Sequence, residues 1–277
     1  MKLTAKDLDL HQIALSGQCF RMDEAADGTF TIIAGRRFLK AVPAACDGTS
    51  EDTTYDLSCT QAEFDQYWNS YFDLGYDYSA VKALVPSEDT YLTNAASFGG
   101  GIRILRQDLW ETIISFMISQ QNNIPRIKKC INNICTRYGE RITAPCGDIY
   151  YSFPSPCALA GATIDELLEC NLGYRAKYVQ KAARDAVTGR LDLEGIKNAD
   201  PAAARSALLE CYGIGNKVAD CVCLFSLHNI DAFPVDTHIK QVLAREYPDG
   251  FPFELYTGCA GIIQQYIFYY ELYGPRL

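Results

Sequence analysis

The sequence predicts an α+β fold in two parts, with strands concentrated in the first third and helices in the remainder. Two segments, 29–33 and 36–42, are rich in β-forming residues that roughly alternate between apolar and polar. Beyond residue 101, apolar residues instead recur at helical spacing. The glycine run 99–101 lies between these two patterns, so we expect one domain at 1–98 and a second at 99–277.

Turn signals and a capping box indicate the elements of the first part. Asp27-Gly28 and Asp47-Gly48 are dipeptides typical of turns beside strands. Thr60 and Glu63 have the spacing of a capping box. A helix should follow this box, because Phe64, Trp68 and Tyr71 recur there at near-helical spacing.

The second part shows helix starts of the same kind. An apolar stripe of Leu109, Ile113, Phe116 and Met117 predicts a core helix. Thr163 and Glu166 form a second capping box. Asp200-Pro201 predicts an N-cap and first residue for a helix through Tyr212.

The composition is that of an ordinary globular protein, with 48% hydrophobic and 21% charged residues in 277. No apolar run approaches the ~20 residues of a membrane span. The N-terminus carries charges where a signal peptide needs its apolar region, so we expect an intracellular protein away from membranes. The 12 cysteines are scattered without zinc-ligand spacing, which predicts reduced thiols and no metal site.

The net charge of −9 argues against indiscriminate nucleic-acid binding, but the charge is unevenly distributed. Residues 1–90 hold 7 basic and 15 acidic side chains, a balance of −8. Two windows are locally basic: 102–141 with 7 basic and 3 acidic residues, and 171–190 with 5 and 1. Such windows are usually solvated helix faces, and a phosphate-binding surface is the alternative.

The segment around Gly213-Ile214-Gly215 predicts a tight reversal between two helices. The two glycines free the backbone to turn and to approach a partner closely. Asn216 is the expected cap of the second helix, Lys217 to Leu227, whose first amides could receive a phosphate. A helical hairpin with no ligand is the competing interpretation.

Lys217 and Asp236 are the candidate catalytic pair. A lysine in the first turn of a helix faces the positive end of the dipole, which disfavours the protonated amine and so favours a nucleophile. Asp236 precedes an apolar-periodic segment and can cap that helix, or stabilise a cationic sugar, or do both. His238 could contact a phosphate or satisfy a local hydrogen bond.

Five ordered segments resemble the helix–hairpin–helix DNA glycosylases, and particularly the bifunctional 8-oxoguanine DNA glycosylases. The likeness spans nearly the whole chain, with Met22 where the family has tryptophan. The segments are SGQCFR at 16–21, QNNIPRI at 121–127, LGYRAKY at 172–178, GIGNKVADC with PVDTH at 213–221 and 234–238, and GIIQQYIF at 261–268.

The resemblance implies a TBP-like antiparallel sheet with helices, followed by an all-α glycosylase domain that carries the hairpin. It implies that the carbonyl of Gly17 reads the N7 hydrogen of oxidised guanine and that Gln264 binds the pairing edge of the base. It also implies that Cys221 and Phe268 sandwich the base. Without the resemblance, helix core would be the expected role of both.

The resemblance also implies a surface for duplex DNA. Tyr174 would fill the stack beside the extruded base, and Arg126 and Arg175 would read the cytosine left behind. The hairpin glycines Gly213 and Gly215, with His238, would contact the backbone. Gln121 stands where the family usually has asparagine, which puts the stringency for the opposite base in doubt.

The implied activity is removal of 8-oxoguanine from double-stranded DNA by Lys217, followed by Schiff-base β-elimination, with no cofactor. We expect a monomer in a bacterial cytoplasm with the nucleoid, and the nucleus stays an alternative. The rival interpretations are a glycosylase for oxidised pyrimidines or alkylated bases, a non-catalytic DNA-binding hairpin module, and a protein-interaction scaffold.

Overall fold

A computed structural model describes residues 1–44 and 52–275 and confirms the two-part α+β architecture. The predicted turn at Asp47-Gly48 lies outside these residues. Five antiparallel strands form one sheet: β1 (Lys2–Ala5), β2 (Met22–Glu24), β3 (Phe30–Ala34), β4 (Arg37–Pro43) and β5 (Thr53–Leu57). Their order in the sheet is β1-β5-β4-β3-β2.

The two predicted strands are present as β3 and β4, each one residue later than expected. Alternation along β3 buries Phe30, Ile32 and Ala34 on the face that packs against the helices of the first part. These helices are α1 (Leu10–Leu15) and α2 (Gln61–Glu63), which is continued by a π-helical segment (Phe64–Trp68) and α3 (Asn69–Tyr71). Two further helices of the first part, α4 (Tyr78–Ala83) and α5 (Thr90–Phe98), pack instead into the core of the second part.

The second part is helical apart from one short hairpin, β6 (Arg141–Thr143) and β7 (Ile149–Tyr151), which the sequence did not predict. The helices are α6 (Leu109–Ser119), α7 (Ile124–Tyr138), α8 (Pro156–Gly161), α9 (Ile164–Glu169), α10 (Ala176–Val187), α11 (Leu193–Asn198), α12 (Pro201–Leu209), α13 (Asn216–Phe225), α14 (Thr237–Glu246) and α15 (Ala260–Tyr273), with 3₁₀ turns at Gly173–Arg175 and Phe253–Tyr256.

Most of the predicted helix starts are confirmed. Both capping boxes form, at Thr60 with Glu63 and at Thr163 with Glu166. Asp200 caps α12 by accepting bonds from the amides of Ala202 and Ala203. However, α12 ends at Leu209, three residues before the predicted Tyr212.

The apolar stripe of α6 lies at the centre of the second part. Leu109, Ile113, Phe116 and Met117 are all at most 2% exposed, and α6 packs against both α7 and α13. A helix that is buried on every side fixes its neighbours tightly, because close-packed interiors leave little room for movement. The helix that carries Lys217 therefore rests on a rigid support.

The glycine run 99–101 docks the two parts against each other. The Gly101 carbonyl accepts a bond from the Asp9 amide (2.8 Å), and its amide donates to the Gln12 side chain (2.9 Å). A Cβ atom on Gly101 would lie 2.4 Å from the Cβ of Asp9, so this approach requires glycine. The division at residues 98 and 99 itself remains a prediction.

Eleven cysteines lie among the described residues, all of them unpaired there, and nine of them are buried. The nine buried cysteines pack as small apolar side chains. Within these same residues, no helix has both the length and the apolar character needed to cross a bilayer.

Candidate active site

The hairpin between α12 and α13 requires glycine at its first position. Gly213 has a φ of +90°, and a Cβ atom there would lie 2.5 Å from Cγ of Tyr178. Gly215 is the N-cap of α13 and offers no side chain to its first amides. The start of α13 is therefore an open cluster of N–H groups at the positive end of the helix.

The predicted cap at Asn216 is wrong. Asn216 is the first residue of α13, and its side-chain oxygen accepts a hydrogen bond from Arg205 of α12 at 3.1 Å. Arg205 also binds Asp220 at 2.6 Å, one turn further along α13. This clamp between the two helices uses the oxygen that a cap would have needed.

Lys217 is the second residue of α13 and is half-buried in a cleft of about 770 Å³. Its Nζ lies 5.0 Å from the centroid of the Phe116 ring, which belongs to the buried helix α6. An aromatic face at this distance attracts a lysine amine weakly and forms no ion pair with it. Asp236 lines the same cleft.

Asp236 caps α14, as its position in the sequence predicted. Its Oδ1 accepts a hydrogen bond from the Ile239 amide at 2.9 Å. Because a cap uses one lone pair of a carboxylate, the charge and the second oxygen remain for another partner. His238 is exposed in the first turn of α14, with its ring edge-on to Phe268 at 6.2 Å.

Gly17 lies across the cleft from α13, just after α1. Its φ of +72° belongs to the left-handed region, and a Cβ atom would meet the Phe268 ring at 3.1 Å. The side chain of Gln18, which is 0% exposed, donates to Ser16 (3.0 Å) and to the Arg103 carbonyl (2.9 Å). These buried bonds on either side fix the backbone of Gly17.

A second, smaller cavity of about 40 Å³ adjoins the cleft. The two share the lining residues Gly17, Phe116, Lys217, Asp236 and Phe268. Cys221 and Gln264 line the smaller one. All six residues predicted for catalysis and base binding therefore surround these two connected spaces.

Cys221 and Gln264 are both buried. Burial raises the pKa of the Cys221 thiol to about 11, although the positive charge of Lys217 acts in the opposite direction. The thiol is therefore protonated at neutral pH and presents a neutral, polarisable wall. Gln264 donates from Nε2 to the Pro234 carbonyl at 3.0 Å.

Four of the residues predicted to bind DNA lie outside the lining of the cleft: Arg126, Tyr174, Arg175 and Gly213. Tyr174 is 47% exposed, and its hydroxyl lies 3.4 Å from Oε1 of Gln121. Arg126 is exposed on the first turn of α7. The other residues of the predicted DNA-binding set, Gln121, Gly215 and His238, line the cleft.

Arg175 is buried rather than exposed, at 3%. Its guanidinium donates to the carbonyl oxygens of Gln120 and Gln121, at 2.8 Å for Nε to Gln120. Gln121 has a φ of +48°, a region that suits asparagine better than glutamine. Arg175 holds this strained turn, and its role as a reader of cytosine remains a prediction.

Gln120 is a positioning residue that the sequence reasoning missed. Its Nε2 donates to the carbonyl of Gly213 at 2.9 Å, while its own carbonyl accepts bonds from Arg175. It therefore joins the loop at 121–123 to the hairpin before Lys217. Gln18, Pro234 and Gln265 were also missed. Gln18 and Gln265 lie inside recognised segments and Gln120 directly precedes one, but no local pattern reveals which of these polar side chains is buried.

Among the described residues, no group of three His, Cys, Asp or Glu side chains is arranged to hold a metal ion. The chemistry available at the cleft is that of an amine, a carboxylate and open helix amides.

Two family models together match residues 1–249. Residues 1–113 match "8-oxoguanine DNA glycosylase, N-terminal domain", and 114–249 match "HhH-GPD superfamily base excision DNA repair protein". Fold and hairpin thus define a helix–hairpin–helix base-excision protein. The chain belongs to the 8-oxoguanine DNA glycosylase family of this superfamily.

Two solved structures and one relative from yeast are similar to this chain and support the same family. MBOgg1, solved with a low-affinity DNA ligand, is 37% identical with a TM-score of 0.88, over 98% of this chain and 95% of that one. The 8-oxoguanine glycosylase/lyase of Clostridium acetobutylicum, bound to DNA with cytosine opposite 8-oxoG, is 36% identical with a TM-score of 0.85, over 96% and 92%. The N-glycosylase/DNA lyase of Saccharomyces cerevisiae is 42% identical over 158 residues, 53% of this chain. That alignment spans 42% of the yeast protein, less than half its length.

Proposed function

We propose that this chain is a base-excision repair enzyme that removes 8-oxoguanine from duplex DNA opposite cytosine and then cleaves the strand as an AP lyase. The observation that carries the proposal is the placement of Lys217 and Asp236 around one cleft with Gly17 and Phe268, behind a glycine hairpin. The Clostridium structure was solved with this lesion opposite cytosine, which supports the same substrate here.

Base removal begins with the Lys217 amine, which attacks C1′ of the lesion nucleotide while the C1′–N9 bond breaks and the base leaves. Positive charge develops on the sugar, and the Asp236 carboxylate stabilises it electrostatically. Asp236 needs no proton for this role, because the charge itself is what stabilises the transition state.

Strand cleavage follows from the covalent link. Opening of the sugar gives a Schiff base between Lys217 and C1′, which acidifies the C2′ hydrogen. Loss of that proton then breaks the C3′–O bond and releases the 3′ phosphate. No cofactor takes part in these steps.

Lesion recognition requires a local rearrangement. A cavity of about 40 Å³ has room for one or two waters but not for a purine. Phe268, whose ring packs on Gly17, therefore has to swing away so that the base enters between it and Cys221. The Gly17 carbonyl forms no hydrogen bond within the described part of the chain, so it is available for the N7 hydrogen of the lesion.

The proposed DNA surface follows the hairpin and the loop at 121–123. The open amides after Gly215 receive a phosphate, with His238 beside them. Tyr174 fills the gap left by the flipped base, and Gln121 lies next to it. Arg126 reaches the opposite cytosine, and Arg175 joins it when the loop carbonyls release its guanidinium.

The enzyme acts where cellular DNA is held. We propose the nucleoid of a bacterial cytoplasm, with the nucleus as the alternative, and action as a monomer.

Replacement of Lys217 by glutamine tests the nucleophile. Lys217→Gln should abolish both release of 8-oxoguanine and borohydride trapping on lesion-containing duplex, because the amide cannot form a Schiff base. Lys240→Gln, which changes another lysine of the same cleft, should still be trapped. Trapping by Lys217→Gln would remove Lys217 from this role.

The same assay tests the substrate. Duplexes with 8-oxoguanine opposite each of the four bases should be trapped best with cytosine, and a thymine-glycol duplex should not compete. Preferred excision of thymine glycol would contradict the lesion assignment.

A further inference from the structure

Gln265 lies at the smaller cavity and carries a buried hydrogen-bond acceptor that has no partner among the described residues. It follows Gln264 on α15, is 3% exposed and lines the smaller cavity. Its Oε1 is buried and has no hydrogen-bond partner among the described residues. A buried amide oxygen without a partner costs free energy, so such an oxygen at a binding pocket indicates a partner that arrives with the ligand.

The orientation of this oxygen follows from its neighbours. The Pro234 carbonyl can only accept, so the Gln264 amide must turn its nitrogen towards it, at 3.0 Å. Oε1 of Gln264 then faces Gln265 and accepts a hydrogen bond from Nε2 of Gln265 at 3.1 Å. The backbone carbonyl thereby sets the direction of both amides and leaves Oε1 of Gln265 as the free end.

The free oxygen selects a donor on the base. The pairing edge of a guanine-type base carries an acceptor at O6, a donor at N1 and donors on the exocyclic 2-amino group. Oε1 of Gln265 cannot bind O6, because both atoms are acceptors. Gln264 binds the pairing edge in the proposed function and takes the N1 hydrogen, so the remaining donor is the 2-amino group.

We infer that Gln265 is a specificity-determining residue whose Oε1 accepts a hydrogen bond from the 2-amino group of the extruded oxidised purine. The inference rests on the proposed function, because it assumes that a guanine-type base enters this pocket. The contact favours oxidised guanine over oxidised purines that lack the amino group, and it does so independently of the reading of N7 by Gly17.

A cycle that combines one protein change with one base change tests the contact. Single-turnover excision is measured for 8-oxoguanine and for 8-oxohypoxanthine, which lacks the 2-amino group, each opposite cytosine. The unchanged enzyme should cleave 8-oxohypoxanthine about tenfold more slowly, the effect of one lost hydrogen bond. In Gln265→Met, which keeps the length and removes the amide, this ratio should fall below about twofold.

Two further variants separate this contact from packing. Gln265→Leu should lose the same discrimination. If thermal unfolding shows that Gln265→Met is not folded, Gln265→Leu takes its place in the test. Tyr266→Phe removes another buried polar group without a partner, from the next position of α15 and outside both cavities, and should keep the tenfold ratio.

The outcomes are distinct for the two proposals. A tenfold ratio that persists in Gln265→Met and Gln265→Leu would overturn the role of Gln265 and leave the proposed function intact. Equal slowing of both substrates would likewise reduce Gln265 to a packing role. Failure of the unchanged enzyme to excise 8-oxoguanine would overturn the proposed function and this role with it.

Discussion

Two separate constraints act on Gly17, and together they explain why no other residue suits the position. Its φ of +72° strains any residue with a Cβ atom, and the Phe268 ring would stand 3.1 Å from that atom. The first constraint affects the stability of the folded state, whereas the second acts on the Phe268 ring, which lines both cavities. A suitable control can therefore separate them.

Gly17→Ala should lower the free energy of unfolding by about 1–2 kcal/mol, because alanine is strained at positive φ. It should also slow 8-oxoguanine excision at least about tenfold, because the new methyl group displaces Phe268. Gly189→Ala is the matched control, with φ +75° and no atom within 4 Å of the added Cβ. It should lose similar stability in urea unfolding and keep full excision. Equal excision by both variants would contradict the role of the Phe268 contact.

At the scale of single residues, the sequence predicted which residues line the cleft better than it predicted the burial and hydrogen bonds of each one. Gly17, Lys217, Asp236 and Phe268 meet at the cleft as expected. Neither the burial of Arg175 nor the lack of a partner for Oε1 of Gln265 among the described residues could be predicted. Arg175 binds carbonyl groups about fifty positions away, and the direction of the Gln265 amide depends on Gln264, which Pro234 orients.

Among the elements, α14 begins at a carboxylate that both caps the helix and lines the cleft. Asp236 begins the helix through its bond to Ile239, and its charge lies in the cleft with Lys217. Asparagine caps a helix about as well as aspartate does but carries no charge. The two roles can therefore be measured separately.

Asp236→Asn should change the free energy of unfolding by less than about 0.5 kcal/mol, because the cap is kept. It should slow base excision about 100-fold or more, because the developing sugar cation loses its counter-charge. Asp236→Ala should slow excision similarly and also lose about 1 kcal/mol of stability with the cap. Single-turnover excision and urea unfolding measure the two effects. Normal excision by Asp236→Asn would contradict the electrostatic role.

The elements that the sequence predicted are those whose capping hydrogen bonds join residues only a few positions apart. The caps at Thr60, Thr163, Asp200 and Asp236 each bind an amide two or three positions ahead. The cap at Asn216 failed because Arg205, eleven positions away, takes its oxygen. Strands β1 and β5 were missed because they pair with each other across about fifty residues, which no local pattern records.

On the scale of the whole molecule, buried ion pairs join segments that are distant in sequence. Arg21 binds Glu111 of α6 at 3.3 Å, and Glu111 also accepts from the Gly35 amide at 3.0 Å. Burial raises the pKa of Glu111, and the charge of Arg21 opposes that rise. This pair ties the sheet to the central helix of the second part.

Asp73 forms a second junction, beside the end of α13, the helix that carries Lys217. Its carboxylate accepts hydrogen bonds from Tyr78 (2.9 Å) and Arg106 (2.9 Å). Nε2 of His228, just beyond α13, lies 2.9 Å from the same carboxylate, which is an ion-pair distance, but without hydrogen-bond geometry. Burial raises the pKa of Asp73, but these neighbours outweigh it and hold that pKa below the ordinary 3.8.

The lowered pKa of Asp73 sets the direction of its pH dependence. Because the folded state favours the ionised carboxyl, its stabilisation is complete above the unfolded pKa and is lost as the pH falls through the folded one. Asp73→Asn should therefore lower the free energy of unfolding by about 2 kcal/mol near neutral pH. That difference should shrink as the pH falls below 3.8 and through the lower pKa of the folded state, because Asp73 of the unchanged protein then becomes protonated. Urea unfolding across this range measures it, with the exposed Asp65→Asn as a control that should change little. A difference that stays constant with pH would show that shape rather than charge holds this junction together.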